Sequence, residues 1–84
     1  MKPILIIEDE QALASAVARV CQRLGRDSRL CSSGKRGLKA MAREEFALAV
    51  VDIGLPDMSG LEVLAELKTS APRCRAMTAL SRLP

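Results

Sequence analysis

Apolar residues fall along this chain in two rhythms. Pro3-Ile4-Leu5-Ile6-Ile7 is continuously apolar, β-branched and short, as expected of a strand covered on both faces of a parallel sheet. Pro3 stands at the strand start, where proline is tolerated. Over residues 11–24 the rhythm changes. Leu13, Val17, Val20, Cys21 and Leu24 recur at helical spacing, which predicts one apolar helix face, with Gly25 as its C-terminal stop. Ser28–Cys31 can form a short strand. Ser33-Gly34 then opens a second helix, running through Leu38, Met41 and Ala42 to about Glu45.

Phe46-Ala47-Leu48-Ala49-Val50-Val51 is a second strongly apolar strand, and like the first it ends on a carboxylate, here Asp52. The loop Gly54-Leu55-Pro56-Asp57-Met58-Ser59-Gly60 follows. Ser59 with Glu62 three positions later is a capping-box pattern that starts a third helix. Its buried side is expected from Leu61, Val63, Leu64 and Leu67, and Pro72 ends it. Alternating strands and helices at this spacing make right-handed parallel βαβ units. In a sheet of order 2-1-3 the chain reverses direction between strands one and three, and ligands sit at that crevice beyond the strand C-termini. Asp9 and Asp52 both end there.

Length and composition narrow the chemistry. The 84 residues hold one domain, and the hydrophobic fraction of 49% builds a core in which Phe46 is the only aromatic residue. No apolar run approaches the ~20 residues of a membrane span, and acidic residues occupy the start where a signal peptide has small ones; a soluble cytoplasmic protein is expected. The absence of histidine excludes Ser-His-Asp and Cys-His nucleophiles and histidine-based acid/base chemistry. Cys21, Cys31 and Cys74 lack zinc-ligand spacing and read as reduced, mostly buried small hydrophobes. The 13 basic and 10 acidic side chains balance through residue 68, so the excess of +3 comes from Arg73, Arg75 and Arg82. With neither a basic stripe nor Tyr or Trp for stacking, no nucleic-acid partner is expected.

Glu8, Asp9 and Asp52 reach the same rim of the sheet from two strands. Three carboxylates brought that close repel, and a hard cation such as Mg²⁺ relieves them. Alternatively they are solvated, or cap the helix that follows. Two segments bear on the choice. Ile4-Leu5-Ile6-Ile7-Glu8-Asp9-Glu10 and Val50-Val51-Asp52-Ile53-Gly54-Leu55-Pro56-Asp57-Met58-Ser59-Gly60 resemble the two signature segments of bacterial response-regulator receiver domains, and the resemblance spans roughly residues 3–70.

The resemblance implies an α/β fold, a flavodoxin-like doubly wound parallel sheet of order 2-1-3 with the fourth strand doubtful and the fifth absent. It implies that Asp52 is the phosphoacceptor for a sensor histidine kinase and that Mg²⁺ is the cofactor. Glu8, Asp9, Asp52 and the backbone carbonyl of Gly54 would hold the metal, while Pro56 and Gly60 shape the loop. Such a module is a signalling domain rather than an enzyme. A Mg²⁺ hydrolase with an aspartyl nucleophile fits less well, because Gly54 stands where such enzymes place a second acid.

The tail departs from the family pattern. Residues 71–84 are atypical, the family's phosphate-contacting lysine has no counterpart, and Thr78 is the candidate for the switch hydroxyl. Residues 1–84 thus read as a single, C-terminally truncated receiver. The strand ending at Asp52 is expected to lose its fourth-strand neighbour and to offer an apolar edge for homodimerisation or element swapping. The competing reading is a degenerate receiver that acts only as a protein-interaction module.

Overall fold

The computed structural model describes residues 1–79. Four parallel strands, β1 (Ile4–Ile7), β2 (Ser28–Cys31), β3 (Leu48–Asp52) and β4 (Arg75–Ala79), form one sheet of order β2-β1-β3-β4. The crossovers carry α1 (Gln11–Arg23), α2 (Gly34–Arg43) and α3 (Gly60–Ser70). Strand alternation sends successive side chains to opposite faces, and two clusters result. Leu5, Ile7, Ala49 and Val51 pack with Val63 and Leu67 of α3 and with Leu38 and Met41 of α2. Ile4 and Ile6 pack with Ala14, Val17, Ala18 and Cys21 of α1.

The fourth strand, in doubt from sequence, is present. Arg75, Ala76 and Met77 stand beside Leu48, Ala49 and Val50, so neighbouring backbone rather than side-chain apolarity holds the strand. β4 therefore covers the edge of β3 that was expected to stay open, and β3 is not a site for self-pairing. On the α1 side of the sheet only α1 lies over the strands among the described residues, which leaves Val50 half-buried and Met77 exposed.

Helix α1 ends in a Schellman motif. Gly25 takes φ +74°, its N–H donates to the Gln22 carbonyl at 3.0 Å, and the Arg26 N–H donates to that of Cys21 at 2.9 Å. A positive φ is inexpensive only for glycine, which is why the stop was legible. The expected face of α1 needs correction. Val20 and Leu24 are 57% and 72% exposed, whereas Ala14 is buried along with Cys21. The helix lies close over β1 and β2, so small residues form the contact and the larger ones flank it.

Two further expectations shift. Leu61 is exposed because it sits in the first turn of α3, leaving Val63 and Leu67 fully buried on that helix. Phe46 precedes β3 rather than opening it, yet its ring is buried in the α2–α3 cluster. In α2 the buried positions include Gly34 and Gly37. Ile7 packs where a Cβ on Gly37 would lie, 2.7 Å from Ile7 Cγ1, so the helix approaches the sheet closely.

Candidate functional site

Parallel pairing brings the ends of β1 and β3 level, Ile7 beside Val51, so the residues just past those positions meet at one rim. Glu8 and Asp52 are buried, at 6% and 3% exposure, and Asp9 is half-buried. One carboxylate oxygen from each of Glu8, Asp9 and Asp52 lies within 4.8 Å of the others. Glu8 Oε2 accepts the Glu10 N–H at 3.1 Å, and Asp52 Oδ1 accepts the Gly54 N–H at 3.2 Å. Burial pushes the Glu8 carboxyl above its ordinary range; the Glu10 N–H opposes this, and neighbouring Asp52 and Asp9 add to it. The donor set is all oxygen and strongly anionic. It fits a hard divalent cation such as Mg²⁺ and offers no nitrogen or sulfur for a softer metal.

Gly54 lies in the turn directly after β3, solvent-exposed, with nothing within 4 Å of where a Cβ would stand. Thr78 is half-buried on β4. Its register partner is Val51, and Ala79 is the residue level with Asp52. By strand alternation Thr78 therefore shares the face of Val51, not that of Asp52. Residues 80–84 of the atypical tail lie outside the described residues.

A cleft of about 700 Å³ adjoins the acids, lined by Glu8, Asp9, Leu30, Arg36, Lys39 and Arg43 among others. These cations escaped the sequence reading, although positions 36, 39 and 43 share one face of a helix.

Also missed was Asp57. Its carboxylate accepts the Gly34 N–H and the Lys35 N–H at 2.9 Å each. A helix start without acidic residues, followed by Lys35 and Arg36, was the available signal. Those two N–H groups, Lys35 first, hold the Asp57 carboxyl below its ordinary pKa of 3.8. A depressed pKa contributes stability that is present above the unfolded value and lost as pH falls through the folded one. The Tm difference between wild type and Asp57→Asn is accordingly expected to be constant above pH ~5 and to shrink below pH 3.8. Thermal melts across that range check it; a difference independent of pH would contradict the assignment.

Comparison with known proteins converges on one family. The response regulator receiver domain family matches residues 4–82. The probable transcriptional regulatory protein TcrX of Mycobacterium tuberculosis is 33% identical over 69 residues, which cover 82% of this chain and 30% of TcrX. The aerobic respiration control sensor protein ArcB of Escherichia coli is 33% identical over 70 residues, covering 83% of this chain and 9% of ArcB. The chain thus spans less than a third of these curated relatives.

Among solved structures, a CheY-like receiver domain protein from Methanospirillum hungatei superposes with a TM-score of 0.89 at 29% identity, covering 93% of this chain and 62% of that one. The response regulator TrrA of Thermotoga maritima, solved in complex with Mg²⁺-BeF, gives 0.88 at 29% identity, covering 96% of this chain and 72% of that one.

Proposed function

The chain belongs to the response regulator receiver domain family, and from that premise we propose that Asp52 accepts a phosphoryl group from a sensor histidine kinase in a Mg²⁺-dependent reaction. The observation that supports this reading is the convergence of the Glu8, Asp9 and Asp52 carboxylates within 4.8 Å at the C-terminal rim of the sheet. Glu8, Asp9, Asp52 and the carbonyl of Gly54 would hold the metal, which when bound supplies positive charge that offsets charge on the phosphoryl oxygens.

The chain's own part is nucleophilic attack and positioning. A carboxylate oxygen of Asp52 forms a bond to phosphorus while the bond from phosphorus to the donor imidazole nitrogen breaks. The electron pair leaves with that nitrogen. Pairing with β4 holds the Asp52 backbone, and the Gly54 N–H donates to Oδ1, which orients the carboxylate at the strand end. Among the described residues no helix is long and apolar enough to cross a membrane.

A second reading, a receiver serving only as a protein-interaction module, draws on the register that sets Thr78 on the face away from Asp52. Intact mass spectrometry after incubation with acetyl phosphate separates the two. Gain of one phosphoryl group with Mg²⁺, and none with a chelator, is expected. A folded protein that gains none in either condition would favour the interaction module.

A further inference from the structure

Helix α2 begins in an electrostatically poor way. Lys35 and Arg36 occupy its first turn, where the helix dipole disfavours cations, and no acid accompanies them. Ser33 satisfies what a local cap can reach: its hydroxyl accepts the Arg36 N–H at 3.2 Å and its carbonyl accepts that of Gly37 at 3.0 Å. The remaining two N–H groups of the first turn, on Gly34 and Lys35, are taken by Asp57, more than 20 residues downstream.

Asp57 belongs to the loop between β3 and α3, which also carries Gly54. That loop is fastened at three places. The Gly54 N–H bonds to Asp52 at one end, and the Gly60 N–H donates to the Ile53 carbonyl at 3.0 Å at the other. In the middle stand the two Asp57 bonds and the contact of Met58 with Gly34, where a Cβ would lie 2.6 Å from Met58 Sδ. Among the described residues, Asp57 makes the only side-chain hydrogen bonds from residues 53–58 to a separate helix or strand.

We propose that Asp57 is a positioning residue: its carboxylate straps the β3–α3 loop to the N-terminus of α2 and so holds Gly54 in place beside Asp52. A cap serving α2 alone could come from a neighbouring residue. Drawing it instead from the loop beside the acidic cluster ties the two together, and the tie is reciprocal by linkage. The strap rests on the geometry of the loop; its effect on Mg²⁺ rests on the reading of the acidic cluster given above.

The test is Asp57→Ala in the full chain, followed by ¹⁵N relaxation, amide hydrogen exchange and calorimetric Mg²⁺ titration at neutral pH. Exchange at Gly34 and Lys35 is expected to rise about fivefold relative to Leu5 and Ile6, which report global opening. The order parameter of Gly54 is expected to fall from ~0.85 toward ~0.6, and Mg²⁺ affinity to fall about threefold to tenfold.

If Gly34 and Lys35 lose protection while Gly54 keeps its order parameter, Asp57 is a helix cap only and the proposal is overturned. A wild-type chain that takes up no Mg²⁺ would sink the phosphoacceptor reading and leave Gly54 mobility to decide the strap. Should the alanine variant fail to fold, Asp57→Asn, which keeps one acceptor oxygen, is judged by the same Gly54 readout.

Discussion

Asp52→Asn is expected to take up no phosphoryl group even with saturating Mg²⁺, while folding at least as stably as wild type. The two halves have one cause. Asp52 is 3% exposed and shares its rim with Glu8 and Asp9, so three carboxylates face each other in a poorly solvated place. Asparagine keeps the shape and an oxygen able to accept the Gly54 N–H. It removes one negative charge, and with it one cause of the raised Glu8 pKa.

Without metal the variant is expected to be more stable than wild type, because one of the like charges facing Glu8 is removed. With Mg²⁺ the order is expected to reverse, because under the proposed metal site wild type would gain from binding what the variant would not. The amide also lacks the anionic oxygen that the proposed attack on phosphorus requires. Mass spectrometry reads the adduct and urea melts with and without Mg²⁺ read the crossing. A variant that still gains the group, or that is much less stable than wild type without metal, would show that Asp52 is not the acceptor within a strained acidic cluster.

Gly60→Ala carries the largest expected loss of stability. A Cβ at Gly60 would lie 2.8 Å from the Cα of Ile53 and 2.9 Å from the carbonyl carbon of Asp52, and closer still to the carbonyl oxygen of Asp52. All three are backbone atoms of the strand end and turn that carry the site, so no side chain can swing aside. Gly37 is different, since the atoms nearest a Cβ there belong to the Ile7 side chain rather than to backbone. Relief at Gly60 requires α3 to move away from β3, which disturbs the packing of Val63 and Leu67, both fully buried.

A loss of about 2–4 kcal/mol is expected, the range of overpacking plus lost core contact. In a domain of this size that is a large share of total stability. Chemical denaturation measures it, and a loss below ~0.5 kcal/mol would mean that α3 can shift off the strand end without disturbing the core.

Particular residues show how far the sequence reaches. The run Ile4–Ile7 announced a buried parallel strand because continuous apolarity is what burial on two faces selects, and the run over residues 46–51 announced β3, which begins two residues later, at Leu48. Gly25 announced the end of α1, since a positive φ is a local requirement of the backbone. Glu8, Asp9 and Asp52 could be grouped because parallel strands with right-handed crossovers leave little choice about which ends meet. In each case the determining physics is local, or follows from topology.

Other features depended on distances between segments far apart in the chain. β4 is a strand because β3 offers it an unpaired ladder, although Arg75 and Thr78 give it no apolar pattern. The exposure of Val20 and Leu24 follows from how closely α1 lies on the sheet, and one-dimensional spacing does not contain that distance; Leu61 is exposed by its place in the first turn of α3. Gly60 could be assigned to the loop from sequence, but the reason it must be glycine is contact with the Asp52 backbone rather than a special φ.

The same holds for Asp57 and Thr78. Nothing in Pro56-Asp57-Met58 says that the carboxylate turns to a helix start at Gly34, and nothing near Thr78 says that Ala79 stands level with Asp52. The sequence by itself determined the parallel α/β architecture and the meeting of three carboxylates at one rim, through hydrophobic periodicity and the handedness of crossovers. Only the tertiary structure decided which side chains hold that rim in place, because capping across 20 residues, strand register and backbone-to-backbone contact depend on through-space geometry.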